Sequence, residues 1–167
     1  PAPAALGGFP IIDIPAMDAA GMRLSLGCDG SATNDGSSLL DTLRMAYLLQ
    51  TLHGKQRGGS PSPYQLLKLA TAGGADMLGR TDIGSLEPGK CADLFMIDTG
   101  RLEFSGALHD PANMIAKIGA TGPVWLTMVN GEVRYQNDTL VGVDEGQLAE
   151  EAEAAWSRGI KQYIPAA

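Results

Sequence analysis

No stretch of this sequence approaches the ~20 consecutive apolar residues of a membrane-spanning helix, which excludes such a helix. Basic side chains are also few: 12 Lys and Arg stand against 19 Asp and Glu, for a net charge of -7. Binding a nucleic-acid backbone needs clustered Lys and Arg, so neither nucleic acid nor a membrane is an expected partner. An acidic balance otherwise mostly favours solubility. Cysteine is scarce. Cys28 and Cys91 make neither a zinc motif nor a disulfide framework. Both sit in strand-like contexts, where buried thiols behave as small hydrophobes, and a reducing, cytoplasmic setting is expected. Histidine is limited to His53 and His109, and no His-x-His pair occurs anywhere. The opening Pro1-Ala2-Pro3-Ala4-Ala5 lacks the basic region and apolar run of a secretory signal.

What is present centres on residues 22–37, Met-Arg-Leu-Ser-Leu-Gly-Cys-Asp-Gly-Ser-Ala-Thr-Asn-Asp-Gly-Ser. The stretch starts as a short apolar strand and breaks into small and polar residues. Side chains alternate along a strand, so Met22, Leu24, Leu26 and Cys28 share one side. Arg23, Ser25, Gly27 and Asp29 share the other. In a parallel α/β barrel the helices cover the outside, and ligand chemistry sits at the C-terminal ends of the strands. That parity puts Asp29 at the inner rim, where a carboxylate can bind a metal or handle protons. The plainer alternative is that Asp29 opens a polar loop, because Asp before Gly is ordinary turn chemistry.

The segment from Leu26 to Ser37 resembles the one that follows the eighth barrel strand in metal-dependent amidohydrolases. Within that superfamily it is most similar to the subgroup of 8-oxoguanine deaminase and the triazine hydrolases. Ile83-Gly84-Ser85-Leu86-Glu87-Pro88-Gly89-Lys90-Cys91-Ala92-Asp93-Leu94 and Val129-Asn130-Gly131-Glu132-Val133 resemble the sandwich domain that accompanies such barrels. The resemblance implies an α/β fold made of the C-terminal part of a (β/α)8 barrel and part of a small β-sandwich. It places residues 1–80 in the barrel, 81–143 in the sandwich and 144–167 in a C-terminal helix and tail. A whole (β/α)8 barrel takes ~250 residues, so a chain of 167 is expected to be a C-terminal fragment.

Along the chain, Asp13 is expected to cap a helix that Gly21 stops before the strand. Ser37 or Ser38 begins a second helix, running to about His53, with an apolar face of Leu39, Leu40, Leu43, Ala46, Tyr47 and Leu49; Gly54 and the stretch Gln56-Arg57-Gly58-Gly59-Ser60-Pro61 end it. Ser62-Pro63-Tyr64-Gln65 has the composition of a capping box. The helix that follows would bury Leu66, Leu67, Ala70 and Met77, be weakened by Gly73-Gly74 and end at Gly79. Residues 92–97 read as a largely buried strand and 112–118 as a short helix. Residues 125–129 and 132–135 read as a hairpin about Asn130-Gly131. A further strand over 139–143 and a terminal helix over 147–156 complete the reading.

The resemblance makes Asp29 a metal ligand and the proton-shuttling carboxylate of a hydrolytic deaminase. The implied metal is one divalent ion, zinc or iron, which lowers the pKa of its water toward ~7. Ser31, Asn34 and Asp35 are candidate substrate contacts, and Ser31 is placed to donate to Asp29; all three are equally ordinary turn residues. His53 near a helix end and His109 in His-Asp-Pro fall outside the implied ligand set. The expected reaction is deamination of an aminated aromatic heterocycle, an 8-oxoguanine-like purine or a triazine, by a homo-oligomer. The chain alone carries one ligand of several and is expected to be inactive. The rival expectation is a non-catalytic scaffold or assembly module that works only when docked to a complementary barrel part.

Overall fold

The computed structural model describes residues 8–34, 36–57, 59–120 and 122–160. Helix α1 spans Ile14–Ala19. Asp13 caps it by accepting the Ala16 N–H at 3.0 Å, with Pro15 in the first turn. After Gly21 the chain runs without helix through residues 22–30 to a single turn, α2, at Ser31–Asn34. Helix α3 then spans Leu39–Arg57, and the Ser38 hydroxyl accepts the Asp41 N–H at its start. Helix α4, Pro63–Ala70, begins with the expected reciprocal cap: Gln65 N–H donates to the Ser62 hydroxyl, and Ser62 N–H donates to the Gln65 side chain. Helix α5 spans Ala72–Met77.

Three expectations for these helices need correction. Gly54 does not end α3, which continues to Arg57. Gly54 is buried, and a Cβ there would meet the Gly59 carbonyl oxygen at 2.2 Å. The residue is small because the returning chain crosses it. The interruption between α4 and α5 falls at Thr71 rather than at Gly73-Gly74. Met77 is 53% exposed, and Ala75 is the residue of α5 that is buried.

One core gathers Ile14 from α1, Leu43 and Ala46 from α3, Leu66 from α4, and Ala116. Ala116 lies in a π-helical turn, Met114–Ile118, that continues α6 at Pro111–Asn113 and packs on α3 and α4. Asp110 caps α6 by accepting the Asn113 N–H. A second cluster of Phe104, Met114 and Ala120 adjoins the first, and Ile115 touches both. The long apolar face of α3 thus divides, with Leu43 and Ala46 in one cluster and Leu40 against the other.

The sheet is four-stranded and antiparallel, in the order β1 (Leu94–Met96), β2 (Leu126–Val129), β3 (Glu132–Gln136) and β4 (Thr139–Leu140). The β2–β3 hairpin turns at Asn130 and Gly131, both at positive φ (50° and 81°), as a twist-matched two-residue turn requires. Strand β1 is shorter than expected and not largely buried; Phe95 and Met96 are each more than two-fifths exposed. Strand β4 stops at Leu140, and the terminal helix α7 is longer than expected, Glu145–Ile160.

The expected strand over 22–28 is not found. The segment has no ladder partner among the described residues, and a strand without a neighbour has no inter-strand bonds to define it. Its burial nevertheless alternates from Arg23 onward, although Met22, expected with the leucines, is exposed. Leu24, Leu26 and Cys28 are half-buried, whereas Arg23, Ser25, Gly27 and Asp29 are exposed.

Candidate active site around Asp29

The path of residues 22–28 is set by the helices beneath it. Leu24 and Leu26 pack on the core of Ile14, Leu43 and Leu66. Leu26 N–H donates to the Leu69 carbonyl at 3.2 Å, and the break at Thr71 lies just beyond that acceptor. Helix α5 approaches so closely that a Cβ on Gly73 would meet the Leu24 carbonyl oxygen at 2.5 Å. Leu24 and Leu26 are half-buried by this packing, whereas Asp29 is exposed.

Asp29 itself adopts φ 64°. Non-glycine residues rarely occupy this left-handed region, although Asp tolerates it better than most. Its Oδ1 accepts the Gly30 N–H at 2.7 Å. Ser31 does not donate to Asp29; its hydroxyl pairs with that of Ser37 at 2.7 Å. The Cys28 thiol contacts the Ser37 carbonyl oxygen at 3.6 Å, and Thr33 N–H donates to the Gly30 carbonyl at 2.9 Å. Asn34 lies in α2, and Asp35 falls outside the described residues.

No group of three or more His, Cys, Asp and Glu able to hold a metal ion occurs among the described residues. Asp29 is one oxygen donor, whereas catalytic zinc sites use three protein ligands and a water. These residues do not fit a resident metal by themselves. His53 is no ligand in this arrangement: its side chain is largely buried within α3, with Nε2 3.7 Å from Asp13 Oδ2. His109 precedes the Asp110 cap of α6, outside any such group.

The perturbed titrations lie elsewhere and have structural causes. The Arg80 guanidinium donates to both Asp82 oxygens and holds that carboxyl down at about 2. Glu87 is lowered by the Ser85 hydroxyl and then by Lys90, which braces the turn that Lys90 N–H closes onto the Glu87 carbonyl. Asp110 is lowered by Asn113 at the α6 cap.

Three contributors carry no sequence signal of this kind. Gln50, buried in α3, bonds Ile12 and Ile14 on either side of the α1 cap. Gly73 shows its role only through the Leu24 contact, and Ser37 only through bonds to residues six and nine positions away.

The extended segment seated on helices and ending in Asp29 lies within the part of the chain that matches a known family. Residues 11–134 match the amidohydrolase family, and the chain belongs to that family. The chain is 47% identical to hydroxydechloroatrazine ethylaminohydrolase of Pseudomonas sp. strain ADP, over 96% of this chain and 34% of that protein. It is 39% identical to 8-oxoguanine deaminase of Pseudomonas aeruginosa, over 84% of this chain and 30% of that protein. It superposes on the atrazine chlorohydrolase of Arthrobacter aurescens TC1, crystallised with zinc, with a TM-score of 0.83 and 33% identity. That match covers 92% of this chain and 34% of the other. An adenosine deaminase of Xanthomonas campestris with bound zinc gives a TM-score of 0.87 at 26% identity, over 95% and 36%. The chain thus spans about a third of the length of the relatives it matches.

Proposed function

We propose that this chain is the portion of a metal-dependent aminohydrolase that carries its proton-handling carboxylate, Asp29. The complete enzyme hydrolyses the C–N bond of an aminated aromatic heterocycle, an 8-oxoguanine-like purine or a triazine. The observation that carries the reading is the placement of Asp29: exposed, left-handed, and at the end of a segment anchored on the core through Leu24 and Leu26. The activities of the relatives, an ethylaminohydrolase and a deaminase, support the substrate class. The zinc in the related crystal structures supports a divalent ion, zinc or iron. Asp29 is proposed as the one ligand that this chain supplies to it.

In this reading Asp29 accepts a proton from water as the water oxygen bonds to the amine-bearing ring carbon. It then returns the proton to the amine nitrogen, the C–N bond breaks, and ammonia or an alkylamine leaves. Residues 1–80 belong to the barrel, 81–143 to the sandwich and 144–167 to the terminal helix and tail, with the turn at 114–118 reaching back onto α3 and α4. A cytoplasmic homo-oligomer is the proposed setting. Asn34 and Asp35 are proposed substrate contacts.

The test is release of ammonia from 8-oxoguanine and guanine, and of alkylamine from a hydroxytriazine, by the complete enzyme. Asp29→Asn should lower kcat by on the order of 10²–10⁴, the usual contribution of a general acid–base group. Full turnover in the Asp29→Asn enzyme would remove Asp29 from the reaction.

A second reading, of a docking module without catalysis of its own, is favoured by the lack, among the described residues, of any group of three or more possible ligands that includes Asp29. Metal analysis separates the two. In the complete enzyme, near-stoichiometric metal that is weakened together with turnover by Asp29→Asn supports the catalytic reading, whereas metal and turnover that both survive Asp29→Asn support the module.

A further inference from the structure

We infer that Ser37 is a positioning residue for Asp29, acting with Ser31 as a clasp that holds the aspartate's backbone. The inference rests on the catalytic assignment of Asp29 but uses different atoms. Residue 37 contacts the chain on both sides of Asp29. Its carbonyl oxygen receives the Cys28 thiol at 3.6 Å, one residue before. Its hydroxyl pairs with that of Ser31 at 2.7 Å, two residues after. The residue between these anchors is the one at φ 64°, a left-handed conformation uncommon outside glycine that contacts on both sides help to hold. The Gly30 N–H then meets Oδ1 at 2.7 Å and sets the direction of the carboxylate.

Ser37 is itself well anchored. The next residue, Ser38, starts α3: its hydroxyl accepts the Asp41 N–H and its carbonyl accepts the Thr42 N–H. Thr42 is fully buried, and Leu43 beside it belongs to the core. The clasp thereby ties Asp29 to the 19-residue helix α3. Ser31, which reads from sequence as a substrate contact, is on this geometry committed to Ser37. A carboxylate that must accept and return a proton at one substrate atom is sensitive to small displacements, and a misplacement near 1 Å can cost about 100-fold.

The experiment uses the complete enzyme with Ser37→Ala, Ser37→Thr, Ser31→Ala and the double alanine variant. Steady-state kinetics are read beside hydrogen exchange of the peptide covering residues 22–38. Ser37→Ala should lower kcat by roughly 10- to 100-fold with KM little changed. The same variant should speed exchange of that peptide about fivefold, the worth of one hydrogen bond. Ser37→Thr, which keeps the hydroxyl, should restore both. Ser31→Ala should match Ser37→Ala, and the double variant should be no worse than either, because the two hydroxyls make one contact. Unchanged exchange in Ser37→Ala, unchanged kcat despite faster exchange, or a rise in KM alone would each overturn the inference. A KM effect would instead place the serines against substrate. If the unmodified enzyme releases no amine, the functional proposal falls by itself, and exchange in the Ala and Thr variants still decides whether the clasp exists.

Discussion

At the scale of single residues, two neighbouring glycines in α5 have opposite reasons for being small. A Cβ on Gly73 would meet the Leu24 carbonyl oxygen at 2.5 Å, whereas one on Gly74 would meet nothing within 4 Å. Ala is favoured over Gly inside a helix by roughly 0.5–1 kcal/mol. At Gly74 that preference stands alone, so Gly74→Ala should stabilise the chain by about that amount. At Gly73 it is outweighed, because forcing backbone apart costs about 1–3 kcal/mol. Gly73→Ala should therefore be net destabilising and should loosen the segment leading to Asp29. Denaturant titration of the two variants checks the difference in sign. Asp82 supplies a pH-dependent counterpart. The Arg80 guanidinium lowers it from an ordinary 3.8 to about 2, so its contribution is present above the ordinary value and lost as pH falls through about 2. The Tm difference between the wild-type chain and Arg80→Gln should stay level at neutral pH and shrink between about pH 4 and about pH 2. A difference that grew on acidification would contradict the pairing.

At the scale of elements, features with local causes were legible: the caps at Asp13, Ser38 and Ser62, and the stops at Gly21 and Gly79, both at positive φ. Asp110 also accepts an N–H in a first turn, where the sequence reads only as a turn. The reciprocal bonds of Ser62 and Gln65 make α4 the best-capped of these, and α4 contributes Leu66, fully buried, to the core. Ser62→Ala should cost about 1 kcal/mol, read as a lower midpoint of thermal or denaturant unfolding. Ser62→Asp should recover most of it. The end of α3 at Arg57 and the break at Thr71 depend on what crosses the helix: Gly59 over Gly54 in one case, and Leu24 and Leu26 over α4 and α5 in the other. Neither crossing is local in sequence. The hairpin at Asn130-Gly131 was legible for the same reason as the caps, since two residues at positive φ define the turn.

At the scale of the whole molecule, large apolar side chains remain uncovered on several elements. Leu48 and Leu52 on α3, Phe95 and Met96 on β1, Trp125, and Leu148 and Trp156 on α7 are each at least two-fifths exposed. Uncovered apolar side chains favour association where they gather into patches. With no group of three or more possible ligands among the described residues, the 167-residue chain by itself should bind less than one equivalent of zinc and release no ammonia from 8-oxoguanine or guanine. It should also elute from size exclusion as more than a monomer. Turnover at ordinary enzyme rates, on the order of 1–1000 per second, would show that the chain assembles a complete site unaided.

Sequence alone determined those features whose causes lie within a few residues: the caps, the Asn130-Gly131 turn, the alternation of Leu24, Leu26 and Cys28 against their exposed neighbours, and the motif around Asp29. These follow from backbone geometry and short-range hydrogen bonding, which a run of residue types specifies. Tertiary structure decided the rest. It showed 22–28 as an extended segment without a ladder, because a strand exists only through a neighbour. It turned Ser31 from Asp29 toward Ser37, joined Gln50 to the α1 cap, and brought the turn at 114–118 onto α3 and α4. Each is a contact between positions that only the folded chain brings together, and their closeness depends on how the core packs rather than on any local preference.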